Sequence, residues 1–182
     1  MYWLTKIDKG VDPGIAGFNN PYGVADFFLE KERSELKNKK MEFQFVERNQ
    51  NFDSLEDFIW NPEHPLLVVK EPFYLLSMMA FSHCFDVFHG NIGKNRLLLL
   101  FPVVEIKCFD YMNSKFERFK YAERDIDSIT IFRILSDKLI GAPDFFRIGD
   151  EYALRFYLIT SDRFKSYYEK SGFTGLVFKP AC

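Results

Sequence analysis

The longest apolar run in this chain, Leu97 to Val104, is eight residues long and carries Pro102 inside it. A bilayer-spanning helix needs about 20 apolar residues, so the run is read as a buried strand that breaks or becomes an edge at the proline. Around it lie only short β-prone and helix-prone pieces between turn formers, with no regular strand-helix alternation. That order favours an α+β fold with a mixed or largely antiparallel sheet, a few packed helices and a loop-rich N-terminal third. Internal repeats of about 20 to 50 residues are absent, so solenoids drop out. With 182 residues and 47% hydrophobic side chains, the chain has the apolar surface to offset its ordering entropy. A single domain over 1–182 is expected, with an N-terminal lobe over about 1–65 and a C-terminal scaffold over about 66–182.

Charge narrows the partners. The chain has 24 basic and 26 acidic side chains, a formal charge of −2. Nucleic-acid binders show a basic excess, so no nucleic acid is expected as partner, and no membrane. The three cysteines, Cys84, Cys108 and Cys182, form no Cys-x-x-Cys pair. An odd, unpaired set points to a reducing compartment, and a cytoplasmic location is expected. The stretch from Met1 lacks the basic and apolar blocks of a secretory signal, so the mature chain is expected to start there.

Along the chain, Tyr2–Ile7 reads as a strand, 10–23 as a long loop, and Met41, Phe43 and Phe45 as the inward positions of a half-buried strand. Asp53 to Trp60 reads as a helix behind an Asp53 or Ser54 cap, stopped by Asn61-Pro62. Leu66 to Lys70 reads as a strand. A buried helix over about 72–87 is expected to turn Tyr74, Leu75, Met78, Met79, Ser82 and Phe85 inward. Gly90-Asn91 and Gly93-Lys94 read as a turn. Strands are expected either side of Pro102, at Phe116 to Phe119, over Ile126 to Leu135, at Asp144 to Arg147 and over Leu154 to Thr160. Ser161 to Ser171 closes the pattern as a capped helix with Gly172 at its C-terminal cap, and Gly175 to Lys179 as a last strand.

The most metal-like segment is 83–89, with His83, Cys84, Asp86 and His89. On a helix, positions 83 and 89 are about 120° out of alignment, and structural zinc sites show four well-spaced ligands. The segment is read as a buried Cys84 between partly exposed histidines. No metal and no cofactor is expected. Cys108, like Cys84, is flanked by phenylalanine and reads as a core thiol. No nucleophile motif, phosphate loop or isolated carboxylate pair stands out, and no catalytic residue is assigned. Most of the ten aromatic residues from Phe145 to Phe178 read as core rather than as a base-stacking platform.

One asymmetry remains. Residues 1–91 hold 9 Lys/Arg and 14 Asp/Glu, whereas 92–182 hold 15 and 12. Within the acidic half, Phe52, Asp53, Glu56, Asp57, Trp60 and Glu63 interleave aromatic and acidic side chains. Such a segment serves either as a docking site for a basic partner or as a solvated helix face with Phe58 and Trp60 turned inward.

Three stretches carry a resemblance. They are Val103, Val104, Cys108, Phe109, Asp110, Ser114 and Phe116; then Ile131-Phe132-Arg133; then Ser161, Asp162, Gly172, Phe173, Thr174, Gly175 and Phe178. The pattern, over about 100–180, resembles the bacterial immunity proteins of polymorphic toxin systems, a family formerly described only as a domain of unknown function. Phe109 stands where that pattern has leucine, and Pro102 where a polar residue is common. The resemblance implies a non-enzymatic protein that binds and blocks a cognate protein toxin, and it carries over no catalytic residues. Ser161, Asp162, Gly172, Gly175 and Phe178 are expected to be structural. The alternative from another class is a small enzyme or ligand- or metal-binding domain with a pocket near 83–89.

Overall fold

The computed structural model describes residues 1–7, 15–18, 34–35, 37, 39–45, 51–59, 67–120 and 122–181, with backbone alone at 16–18 and 122–124. In chain order its strands are β1 (Tyr2–Ile7), β2 (Ile15–Phe18), β3 (Lys40–Phe45), β4 (Phe58–Ile59), β5 (Leu67–Lys70), β6 (Phe85–Ile92), β7 (Asn95–Pro102), β8 (Glu105–Ile106), β9 (Lys115–Phe119), β10 (Ala122–Ile131), β11 (Phe145–Ile148), β12 (Leu158–Ser161) and β13 (Leu176–Pro180). Two α-helices are described from end to end, α1 (Glu71–Phe73) and α2 (Asp162–Ser171), and Ser34 and Glu35 are also helical. The fold is α+β, with parallel and antiparallel pairs in mixed sheets. It divides into two compact units. One comprises Met1–Lys6, Pro102–Gly172 and Val177–Cys182; the other comprises Ile7–Phe101 and Phe173–Leu176. The lobe boundary placed near residue 65 lies within the span Ile7–Phe101, where β4 and β5, on either side of it, pair with each other.

In the unit built on Ile7–Phe101, a sheet runs in the order β2-β3-β6-β7-β5-β4. The loop expected over 10–23 contains β2, which pairs antiparallel with β3 and seats Ile15, fully buried, in the core. Tertiary pairing overrides the turn-forming composition there. β3 alternates as its sequence demands, with Met41 and Phe43 buried and Lys40, Glu42 and Gln44 exposed. In β7 every residue from Leu97 to Pro102 is buried, because the strand is central in the sheet and covered on both faces. Leu97, Leu99 and Phe101 share one core cluster with Ile15, Phe43, Ile59, Val68 and Phe88. Gly93-Lys94 makes the turn between β6 and β7, while Gly90 and Asn91 belong to β6 itself.

In the other unit, a sheet runs β13-β1-β12-β11-β8, and β9 and β10 form a separate antiparallel pair. β7 ends at Pro102 as expected, since proline cannot continue a ladder. The Pro102 carbonyl accepts from Arg147 Nε at 3.0 Å, and the same buried guanidinium pairs with Glu105 at 2.7 Å. This ties β11 to the start of the next strand. The strand expected over Leu154 to Thr160 begins only at Leu158, because Tyr152–Phe156 winds into a 3-10 turn that buries Leu154 and leaves Tyr152 and Phe156 outside.

α2 forms as its sequence requires. Ser161 caps it by accepting from the Phe164 N–H at 3.2 Å, and Asp162 sits in the first turn, where its carboxylate favours the positive helix end and accepts from the Trp3 indole N–H at 2.9 Å. Gly172 ends it with φ +68. The helix buries Phe164 and Tyr168 against Phe145 and Phe178, with ring centroids 4.3 Å apart for Phe145–Phe164 and 5.1 Å for Tyr168–Phe178. Phe178 is thus a packing residue of the last strand.

Candidate functional site

The acidic-aromatic segment is not a helix. Phe52–Ser54 makes one 3-10 turn, and its cap is Asn51, whose Oδ1 accepts from the Asp53 and Ser54 N–H groups at 3.0 Å each. Leu55 follows in extended conformation and the chain runs into β4, where Phe58 pairs with Val69 and Ile59 with Val68. The apolar positions that mimicked helical spacing, Leu55, Phe58 and Ile59, are all buried, Phe58 and Ile59 from a strand. Lys70 braces the turn from below: its ammonium donates to the Leu55 carbonyl at 2.7 Å and lies 5.4 Å from the Phe52 ring centroid. Phe52 is half-buried, packed against the core, while Asp53 is exposed and Glu56 half-exposed. Trp60 and Glu63 lie outside the described residues.

Asp57 has a different task. Its N–H donates to Thr174 Oγ1 at 3.1 Å, and its Oδ2 accepts from the Thr174 N–H at 3.0 Å and from the Thr174 hydroxyl at 3.2 Å. The Phe58 N–H adds a bond to the Thr174 carbonyl at 3.2 Å. Gly175 follows with φ +93, and a Cβ there would stand 2.1 Å from the Phe58 carbonyl oxygen. Only glycine permits both the dihedral and the approach. The Phe173–Leu176 turn is thereby fastened to the acidic segment. Phe73 completes the join, edge-on to Phe58 at 5.4 Å and to Phe173 at 4.9 Å.

Directly after Phe73 the chain presents what the sequence did not. The helix expected over 72–87 is α1 followed by a π-helical stretch, Tyr74–Met78, and a 3-10 stretch, Met79–Cys84, and from Phe85 the chain is β6. The buried residues are Tyr74, Met78, Phe81 and Cys84, spaced by four and then by three, which is the eclipsed spacing of a 3-10 helix. The inward stripe is therefore narrow. Leu75, Leu76 and Met79 fall outside it at 58%, 87% and 51% exposure, where the sequence placed Leu75 and Met79 in the core. An irregular winding, invisible to a fixed 3.6-residue period, turns three large apolar side chains to solvent.

The titratable clusters are engaged elsewhere. His83 and His89 are exposed, on the 3-10 stretch and on β6 respectively; Cys84 is buried, and Asp86 pairs with Lys37 at 2.5 Å. Among the described residues no three His, Cys, Asp or Glu side chains converge as a metal site. Burial, reinforced by the Asp150 carboxylate, pushes the Cys108 thiol up to about 12, so it stays protonated. Asp150 is held there because its Oδ2 accepts from the Cys108 and Phe109 N–H groups at 2.8 and 3.0 Å. Burial and the Glu151 carboxylate raise the Tyr111 phenol well above its ordinary value, and Arg118 clasps the same carboxylate through both terminal nitrogens at 3.2 and 3.0 Å. These groups stabilise one another, and the Cys108 thiol and the Tyr111 phenol are held in their protonated forms.

Among the described residues no helix is long and apolar enough to cross a membrane. Comparison with known protein families and with curated proteins found no match.

Proposed function

We propose that this chain is an immunity protein that binds a cognate protein toxin in the cytoplasm and blocks it by covering its active surface, with no chemistry of its own. The observation that carries this reading is the exposed apolar trio Leu75, Leu76 and Met79 on the same unit as Asp53 and Glu56. A protein interface has an apolar centre and a polar rim, and buries roughly 800 Å² on each partner. Here the trio supplies large side chains of the kind that fill a partner's pocket, and the two carboxylates supply a charge opposed to a basic toxin. Bracing by Asp57, Thr174 and Lys70 supports the reading too, since a preorganised backbone loses little entropy on binding.

The test is co-production with the toxic region encoded next to this chain's own reading frame. Rescue of growth, lost in a triple variant Leu76→Asp, Asp53→Lys, Glu56→Lys and kept in Asp125→Lys, Asp127→Lys, is the expected result. Growth arrest unaltered by the native chain overturns the proposal.

A further inference from the structure

The unit that holds the closing helix has an open strand edge. β9, five residues from Lys115 to Phe119, pairs with β10 in a two-stranded sheet, and among the described residues no other strand pairs with its second side. Such an edge offers backbone N–H and C=O groups to a further strand, and folded proteins guard it with bulges, prolines or charged side chains. Here the bulges are on the other strand. Every extra residue that shifts the register lies in β10, between Ala122 and Ile126, Ile126 and Ser128, and Ile129 and Ile131, while β9 runs unbroken and contains no proline. Its outward charges, Lys115 and Glu117, are of opposite sign and so do not repel a second copy of the strand.

The strand alternates cleanly. Lys115, Glu117 and Phe119 are exposed, while Phe116 and Arg118 are half-buried on the inward face. That face is fixed, since Phe116 packs against Phe109 and Tyr111 with ring centroids 5.8 and 5.9 Å apart, and Arg118 clasps Glu151. Residues directly opposite each other in an antiparallel pair share a face, so two copies of β9 that keep their inward faces together must pair about a central residue. Centred on Lys115, Glu117 or Arg118, the pairing sets two like charges directly opposite each other, and centred on Phe119 it sets Arg118 opposite Lys120, all of which are destabilising. Centred on Phe116 it sets Lys115 of each copy opposite Glu117 of the other, twice, with ring opposite ring. Charge thus selects one register and disfavours its neighbours. We propose that β9 is a homodimerisation edge, pairing antiparallel with β9 of a second copy about Phe116 through two Lys115–Glu117 contacts. A strand this short makes a small interface, so the dimer is weak and depends on concentration. The edge is separate from the toxin-binding proposal, whose residues belong to the other unit.

Sedimentation equilibrium of the full chain from micromolar to millimolar concentration tests this, with thermal melting to show that each variant folds. Across the β9–β10 ladder Lys115 faces Ile131 and Glu117 faces Ser128, so either charge can be reversed without losing a charged partner within the sheet. Lys115→Glu and Glu117→Lys should each weaken self-association about tenfold or more, because both ion pairs become like-charge contacts. Mixed in equal amounts the two variants should dimerise again, since each strand then carries a single sign opposed to the other. Both substitutions in one chain should dimerise as the native protein does. A monomer at every concentration, a dimer indifferent to both reversals, no recovery in the mixture or in the double variant, or a dimer abolished instead by Leu76→Asp would overturn the edge.

Discussion

Asp57 and Thr174, 117 residues apart in sequence, hold each other through three hydrogen bonds of 3.0 to 3.2 Å that use the backbone N–H and the side chain of both. The pair fastens the turn after the closing helix to the segment that leads into β4. An acidic residue that looked available for a partner is committed to the fold.

Thr174→Val keeps the shape and removes the hydroxyl, leaving one Asp57 N–H and one carboxylate contact unmade. A loss of about 1 to 2 kcal/mol is expected, read from the urea midpoint at constant m-value. Asp57→Ala should cost at least as much, and the two together less than their sum, since they share one set of bonds.

Gly172→Ala and Gly175→Ala separate two costs that glycine avoids. Both positions have positive φ, yet a Cβ at 172 meets nothing within 4 Å, whereas at 175 it collides with the Phe58 carbonyl. Gly172→Ala should cost about 1 kcal/mol from the dihedral alone. Gly175→Ala should cost clearly more, because backbone must also move; equal thermal shifts would mean the close approach contributes nothing.

Leu76 is 87% exposed, so Leu76→Asp should leave thermal stability within about 0.5 kcal/mol of the native protein while weakening toxin binding about tenfold or more. Met78→Ala, two residues along but fully buried, should do the reverse, costing roughly 2 to 5 kcal/mol in folding.

Cys108 is held as the neutral thiol, with a folded value of about 12 against about 8.5 in an unfolded chain. Between those values the unfolded chain releases the proton and the folded one retains it. The contribution is therefore complete below about pH 8.5 and is lost as pH rises towards 12. Peptide-resolved mass spectrometry after iodoacetamide at pH 9 should find Cys108 unmodified in the native protein and modified in urea.

Local chemistry was legible wherever short-range rules decide. The Ser161 cap, the Gly172 terminus, the Met41/Phe43 alternation and the break at Pro102 follow from hydrogen-bond geometry and side-chain period within a few residues. The sequence reading failed where two structures share one spacing. Leu55, Phe58 and Ile59 satisfied a helical pattern, but β5 offered Phe58 and Ile59 a ladder, and Asn51 had already capped a single tight turn. The helical stretch after Pro72 failed for a related reason, since a change from π to 3-10 winding moves Leu75 and Met79 off the buried stripe without altering composition.

By itself, then, the sequence determined the class of fold, the closing helix with its caps and the buried strand from Leu97, because each depends on apolar period and on residues that satisfy their own neighbours' backbone groups; that the strand is central rather than an edge came from the sheet. The tertiary structure alone decided which carboxylates are displayed and which are spent. Asp53 and Asp57 stand four positions apart with the same chemistry, and only the arrival of Thr174 from the far end of the chain makes one a surface charge and the other a tie.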